Sequence, residues 1–158
     1  MSRLEVIEAS NTKQISDCLK IREEVFINEQ GVPEEEELDD LDNLSFHAIA
    51  YLDSVPLATG RLINISTDNM TIGRMAVLKK YRKSGYGKKV LRFLELHAER
   101  IGAKLITLHA QLHAKDFYIN SGYKEKGNIF LEANIPHIEM YKILWVLFFF
   151  PTKFPTAP

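Results

Sequence analysis

Apolar residues recur along this chain either at every second position or at every third and fourth, and the changes between the two spacings predict the order of its elements. Leu4 to Ile7 reads as a short strand. Asn11 or Thr12 can cap a helix in which Ile15, Cys18, Leu19, Val25 and Phe26 recur at helical spacing, with Arg22 on the same face. A charge on that face must be paired if it is buried, so Arg22 is expected to form a structural ion pair, with a role at a substrate site as the alternative. His47 to Leu52 and Leu57 to Ile65 predict two strands joined around Asp53, Ser54 and Pro56, and Thr71 to Leu78 a third after the polar turn at Ser66 to Asn69. From Gly87 onward Val90, Leu91, Leu94, Ala98 and Ile101 form one apolar stripe, opposed by charged residues and stopped by Gly102. A strand over Leu105 to Leu108, a two-turn helix over Ala114 to Ser121 closed by Gly122, and strands near Tyr123 to Phe130 and Ile138 to Leu147 complete the pattern.

This order places a meander of antiparallel strands before a strand, helix, strand unit over 71–108, which normally makes a parallel crossover. The expected fold is therefore α/β in the mixed α+β sense, with a central sheet flanked by helices. A chain of 158 residues with 46% hydrophobic and 26% charged residues is sized and composed for one globular core.

Charge and cysteine content narrow the classes of function. A formal charge of -1 gives no global positive field for nucleic acid or an anionic membrane, so any phosphate binding must be local. The single Cys18 cannot form an internal disulfide, and the opening Met1 to Glu5 lacks the basic and apolar regions of a secretory signal, which points to the cytoplasm. The longest apolar run, Ile143 to Phe150, is well short of the roughly 20 residues of a membrane-spanning helix. A homodimer, if one forms, is expected to use that run, and residues 144–158 are set apart as an apolar tail behind a domain of residues 1–143. Glu34 to Glu37 with Asp39, Asp40 and Asp42 read as a solvated loop, or alternatively as an electronegative lip that draws in a cationic amine. His97, His109 and His113 lack a compact ligand pattern, and no metal is expected.

The sharpest local feature is Arg82-Lys83-Ser84-Gly85-Tyr86-Gly87, between a strand and the amphipathic helix. Its glycines allow close backbone approach, and the first amides of the helix are unpaired donors at the positive end of its dipole, a setting for a pyrophosphate. Lys88 adds charge. A nucleotide-triphosphate loop would need Gly at 82 and Ser or Thr at 89, where this chain has Arg82 and Lys89.

Met75-Ala76-Val77-Leu78, then the Arg82 to Gly87 loop, then Val90 and Leu91 resemble the acetyl-CoA-binding motif of the GNAT acetyltransferase superfamily, whose pattern is Arg or Gln, two residues, Gly, one residue, Gly or Ala. Ala114 to Tyr123, with its Phe117-Tyr118 pair, resembles the family's late segment. Arg22 to Pro33 with Asp42 and His47 is similar to the YjcF and ElaA-like branch. The resemblance implies the GNAT acyl-CoA N-acyltransferase fold, with a mixed, mostly antiparallel sheet, and N-acetyl transfer from acetyl-CoA to an unidentified amine. It implies that Met75 to Leu78 pair with the pantetheine arm, that the Val77 amide polarises the thioester carbonyl, and that residues 82–88 hold the pyrophosphate with Ala114, Phe117 and Tyr118 beside them. By the same resemblance Tyr118 is the general acid, although the residues alone also allow a core tyrosine. Glu29, His47 and His137 are candidate bases, and an amine arriving unprotonated would need none. Cys18 lies in the apolar stripe, so direct transfer is expected in preference to an acetyl-cysteine intermediate. A non-catalytic relative that binds an acyl-CoA as sensor or scaffold is the alternative, against which Tyr118 speaks.

Overall fold

The first helix begins where its capping chemistry places it. The Asn11 side chain accepts from the Gln14 amide at 2.8 Å, and the Gln14 side chain accepts from the Asn11 amide at 3.3 Å. The computed structural model describes residues 1–144. In chain order these form β1 (Leu4–Glu8), α1 (Thr12–Arg22) running into a π-helical segment (Glu23–Glu29), α2 (Glu34–Glu37), β2 (Phe46–Leu52), β3 (Val55–Asn64), β4 (Asn69–Val77), α3 (Tyr86–Arg100), β5 (Leu105–Gln111), α4 (Lys115–Asn120), β6 (Lys124–Glu132) and β7 (Ile135–Ile143). The expected continuation of the last strand to Leu147, and a dimer contact through the tail, fall outside the described residues. Leu144 itself is buried, and its amide donates to the Lys104 carbonyl at 2.9 Å, so it packs with the body of the fold rather than with a tail.

The strands make one seven-stranded sheet in the order β1-β2-β3-β4-β5-β7-β6. Every pairing is antiparallel except β4 with β5, the expected parallel crossover through α3. Alternation of side chains splits the core between the two faces. Ala48, Ala50, Ala58 and Leu62 meet Val90, Leu91 and Leu94 of α3 on one face, whereas Ile49 and Ala76 meet Cys18, Ile21 and Val25 from α1 and its extension on the other. Gly60 sits under α3, where an added Cβ would lie 2.5 Å from the Met75 sulfur and 2.8 Å from Leu94, so the helix can approach only a glycine. At its far end α3 closes with the Ala103 amide on the Ala98 carbonyl and the Gly102 amide on the Glu99 carbonyl, with Gly102 at φ 95°.

The acidic segment differs from its expected form. Residues 34–37 make a short helix, and Glu37 is buried against Arg22 instead of standing in solvent. Arg22 also donates to Asp42 at 2.7 and 3.1 Å, Arg61 to Asp39 and Asp42, and Arg74 to Asp39. Three arginines thus offset the inner carboxylates Glu37, Asp39 and Asp42, while Glu34, Glu35, Glu36 and Asp40 stay exposed. Burial pushes the Asp39 and Asp42 carboxyls up, but hydrogen bonds from Arg61, and at Asp42 from Arg22 as well, outweigh it and hold both below the usual range. A carboxyl lowered by folding stabilises the fold above its unfolded value and stops doing so as pH falls. The thermal midpoint should therefore hold from neutrality down to about pH 5 and drop progressively below about pH 4. A midpoint unchanged to pH 3 would contradict this network.

Candidate active site

β4 and β5 pair only from Asn69 with Leu105 to Ile72 with Leu108, after which they separate. A bulge sets the divergence. Thr59 pairs with Ala76 and Arg61 with Gly73, so Arg74 and Met75 together oppose Gly60, and Arg74 takes φ 50°. An extra residue bends its strand and increases the local twist. Beyond it the Leu78 amide donates to the Leu57 carbonyl at 2.9 Å. Antiparallel alternation then turns the Val77 amide away from β3 and toward the gap. Around the gap lies a cleft of about 1160 Å³.

One end of the cleft is formed by the loop from Arg82 to Gly87. Lys83 and Gly85 both have left-handed backbone, at φ 66° and 84°, and Gly85 caps α3, whose first amides have no intrahelical partner. At Gly87 an added Cβ would lie 3.2 Å from Val77 and 3.6 Å from Phe117, so β4, α3 and α4 converge there. Of the residues expected to hold a cofactor, Met75, Ala76, Val77, Arg82, Lys83, Gly85, Tyr86, Gly87, Lys88, Ala114, Phe117 and Tyr118 line the cleft, while Leu78 and Ser84 do not. Leu78 packs instead with the α1-side core. Arg82 faces the cleft with its guanidinium already engaged: Nε donates to the Val77 carbonyl at 2.9 Å, and the two terminal nitrogens donate to Glu29 at 2.6 and 2.8 Å.

Tyr118 is 7% exposed and packs edge-on against Phe117 and Tyr123. Its hydroxyl makes no hydrogen bond among the described residues, and it lines the cleft. Burial pushes the phenol upward, so it stays protonated. Tyr123 behind it contrasts, donating to the buried Glu95 at 2.9 Å, which also accepts from Lys142.

The candidate bases separate by geometry. His47 is buried with Nε2 2.8 Å from the Asp42 carbonyl and does not line the cleft. Glu29 lines it, but the hydrogen bonds from Arg82 lower its carboxyl below the ordinary value and occupy both oxygens, which disfavours it as a proton acceptor. His137 is buried in the cleft wall beside Gln111, its partner across β5 and β7. The sequence did not reveal the Gln30–Gln111 pair, whose amides exchange hydrogen bonds at 3.1 and 2.8 Å. Adjacent residues Glu29 and Gln30 at the end of the π-helical segment thereby tie the loop after β4 to the end of β5, spanning the two separated strands. Nor did it reveal Arg74, whose guanidinium holds the Glu36 and Glu37 carbonyls as a wall of the cleft. Its only sequence signal was a charged residue inside an apolar strand.

The sequence matches the family described as "Acetyltransferase (GNAT) domain" over residues 10–144. It is 39% identical over 142 residues to the uncharacterized N-acetyltransferase YjcF of Bacillus subtilis, covering 88% of this chain and 99% of that protein. A crystal structure of an acyl-CoA N-acyltransferase from Pseudomonas aeruginosa is 28% identical with a TM-score of 0.78, covering 90% of this chain and 99% of that one. Escherichia coli ElaA has the same fold, at 23% identity and a TM-score of 0.77 over 90% of this chain and 99% of its own. With a separated β4–β5 pair, a glycine-containing loop opening α3 and a sequence matched along nearly its whole described length, the chain belongs to the GNAT acetyltransferase family.

Proposed function

We propose that this protein transfers the acetyl group of acetyl-CoA to a primary amine by direct attack within a ternary complex. The observation that carries the reading is the placement of Tyr118: a protonated phenol without a hydrogen-bond partner among the described residues, in the same cleft as the outward amide of Val77 and the Arg82 to Gly87 loop. The pyrophosphate would lie on the first amides of α3 with Lys83 and Lys88 beside it, and the pantetheine would run between the separated strands along Met75 to Val77. The Val77 amide would donate to the carbonyl oxygen as charge develops there, which is where a fixed donor lowers a barrier most. Leu78 cannot share that role, because its amide is bound to Leu57. Cys18 is buried with its sulfur 3.9 Å from the Ala48 carbonyl, away from the cleft, which supports transfer without an acetyl-cysteine.

Incubating the protein with acetyl-CoA and a panel of primary amines, with free CoA as the readout and amine-free hydrolysis as control, tests the reading. Amine-dependent CoA release is expected; tight acetyl-CoA binding without it would favour a sensor or scaffold. A second test isolates the cofactor site. Gly87→Val should raise the Kd for acetyl-CoA at least about tenfold, roughly 1.4 kcal/mol, because its side chain would enter the gap between Val77 and Phe117. Gly87 is a helical position without positive φ, so the variant should fold. Unchanged affinity in the folded variant would place the cofactor elsewhere.

A further inference from the structure

Glu29, Glu37 and Asp39 reach the cleft with arginines attached, from Arg82, from Arg22 and Arg74, and from Arg61 and Arg74. Glu132 at the end of β6 differs. Its contacts among the described residues are two imidazoles, His109 Nδ1 at 3.1 Å and His137 Nε2 at 3.5 Å, and all three side chains line the cleft. The His137 side chain is 8% exposed while that of Glu132 is 50% exposed, so the ring is held in the wall and the carboxylate faces the opening.

The proton on the neutral His137 ring has a fixed place. Nδ1 lies 2.6 Å from the Ile135 carbonyl oxygen, which only an N–H can satisfy, so Nε2 carries the lone pair. A lone pair and a carboxylate 3.5 Å apart form no hydrogen bond. A proton arriving on Nε2 gives the ring a positive charge that the carboxylate at 3.5 Å attracts without occupying the Nε2 lone pair. The ring orientation is kept by Phe130, stacked on His137 at 5.9 Å and meeting His109 edge-on at 4.9 Å. The ring is thus held with its Nε2 lone pair free and a carboxylate near it, as a proton acceptor requires.

We propose that His137 takes the proton of the attacking amine and that Glu132 is the positioning carboxylate that stabilises the imidazolium. This rests on the acetyl-transfer reading above. The amine nitrogen bonds to the thioester carbon as the carbonyl pair moves to oxygen, and its proton passes to Nε2. The carbonyl re-forms, the carbon–sulfur bond breaks, and the sulfur takes the Tyr118 proton. Water then carries the proton of His137 back to Tyr118, leaving amide and thiol with no net change in the protein. Of the other carboxylates lining the cleft, Glu29 is paired with Arg82 and Asp39 with Arg61 and Arg74, while Glu139 stands opposite Lys126 in the β6–β7 register. Glu132, without an arginine among the described residues and shared with the exposed His109, responds to the charge of the His137 ring.

The test follows the His137 ring by NMR through a pH titration of the full chain and reads rates on the amine panel. The neutral ring should carry its proton on Nδ1, and in Glu132→Gln it should titrate at lower pH than in the wild type, with Glu139→Gln as an unshifted control. His137→Gln should bind acetyl-CoA normally and lose about 10²-fold in kcat/KM together with the acid limb of its pH profile. An Nε2-protonated neutral ring, an identical titration in Glu132→Gln, or a His137→Gln variant with wild-type rate and profile would each overturn the proposal. A wild-type protein without acetyl-CoA affinity would instead overturn the acetyl-transfer reading, and the titration would still report on the pair.

Discussion

Replacing Arg22 with Met should cost roughly 3–5 kcal/mol of folding stability, the range for removing one partner of a buried ion pair. The Arg22 side chain is 1% exposed and that of Glu37 is 2% exposed. Its guanidinium donates to the Glu37 carboxylate, the Glu37 carbonyl and both oxygens of Asp42. The methionine would fill most of the space and leave Glu37 without its most buried cation, with Arg74 only 3.5 Å away as a partial substitute. Two carboxylates stripped of Arg22 would strain the whole segment from α2 to β2, including the backbone that Arg74 grips. Urea denaturation read by a lowered midpoint would measure the loss, and Arg22→Lys, which keeps the charge but not the fork of donors, should fall between. A loss below about 1 kcal/mol in Arg22→Met would show that water enters and relieves the charges.

The elements that sequence spacing located are those whose periodicity is local. The stripe from Val90 to Ala98 became α3 within a residue of its expected start, because an amphipathic helix announces both its face and its stop at Gly102. The loop from Arg82 to Gly87 was equally legible, since left-handed backbone at Gly85 and a close approach at Gly87 are needs that glycine meets within one segment. Arg22 is legible as an ion pair from its place on an apolar face, whereas the acidic run gives no sign that Glu37 and Asp42 are its partners. Charge in a sequence carries no sign of what will fold over it. The least legible parts depend on distant pairing: Gln30 meets Gln111 across 81 residues, and Arg74 departs from strand alternation only because β4 bulges against β3. Glu132 and His137 lie close in sequence, but only the β6–β7 register together with the Ile135 carbonyl gives the contact its direction.

Replacing Tyr118 with Phe should lower kcat by about 10² or more while leaving the acetyl-CoA Kd nearly unchanged. The substitution keeps the ring between Phe117 and Tyr123 and removes a hydroxyl that no described protein group holds, so the fold loses no hydrogen bond. What disappears is the donor at the leaving sulfur. A thiolate has an ordinary pKa of about 8.5 against about 10 for a phenol, and burial raises the phenol further. Tyr118 therefore acts chiefly by holding its proton against the sulfur as the bond breaks, with full transfer completed as the thiol departs. That role is exercised in the transition state and hardly in the ground state, so the loss should fall on kcat. Equilibrium binding of acetyl-CoA and the thermal midpoint are the two controls. Full turnover in Tyr118→Phe would assign the proton to water, whereas joint loss of affinity and stability would make the residue a packing element between α4 and the sheet.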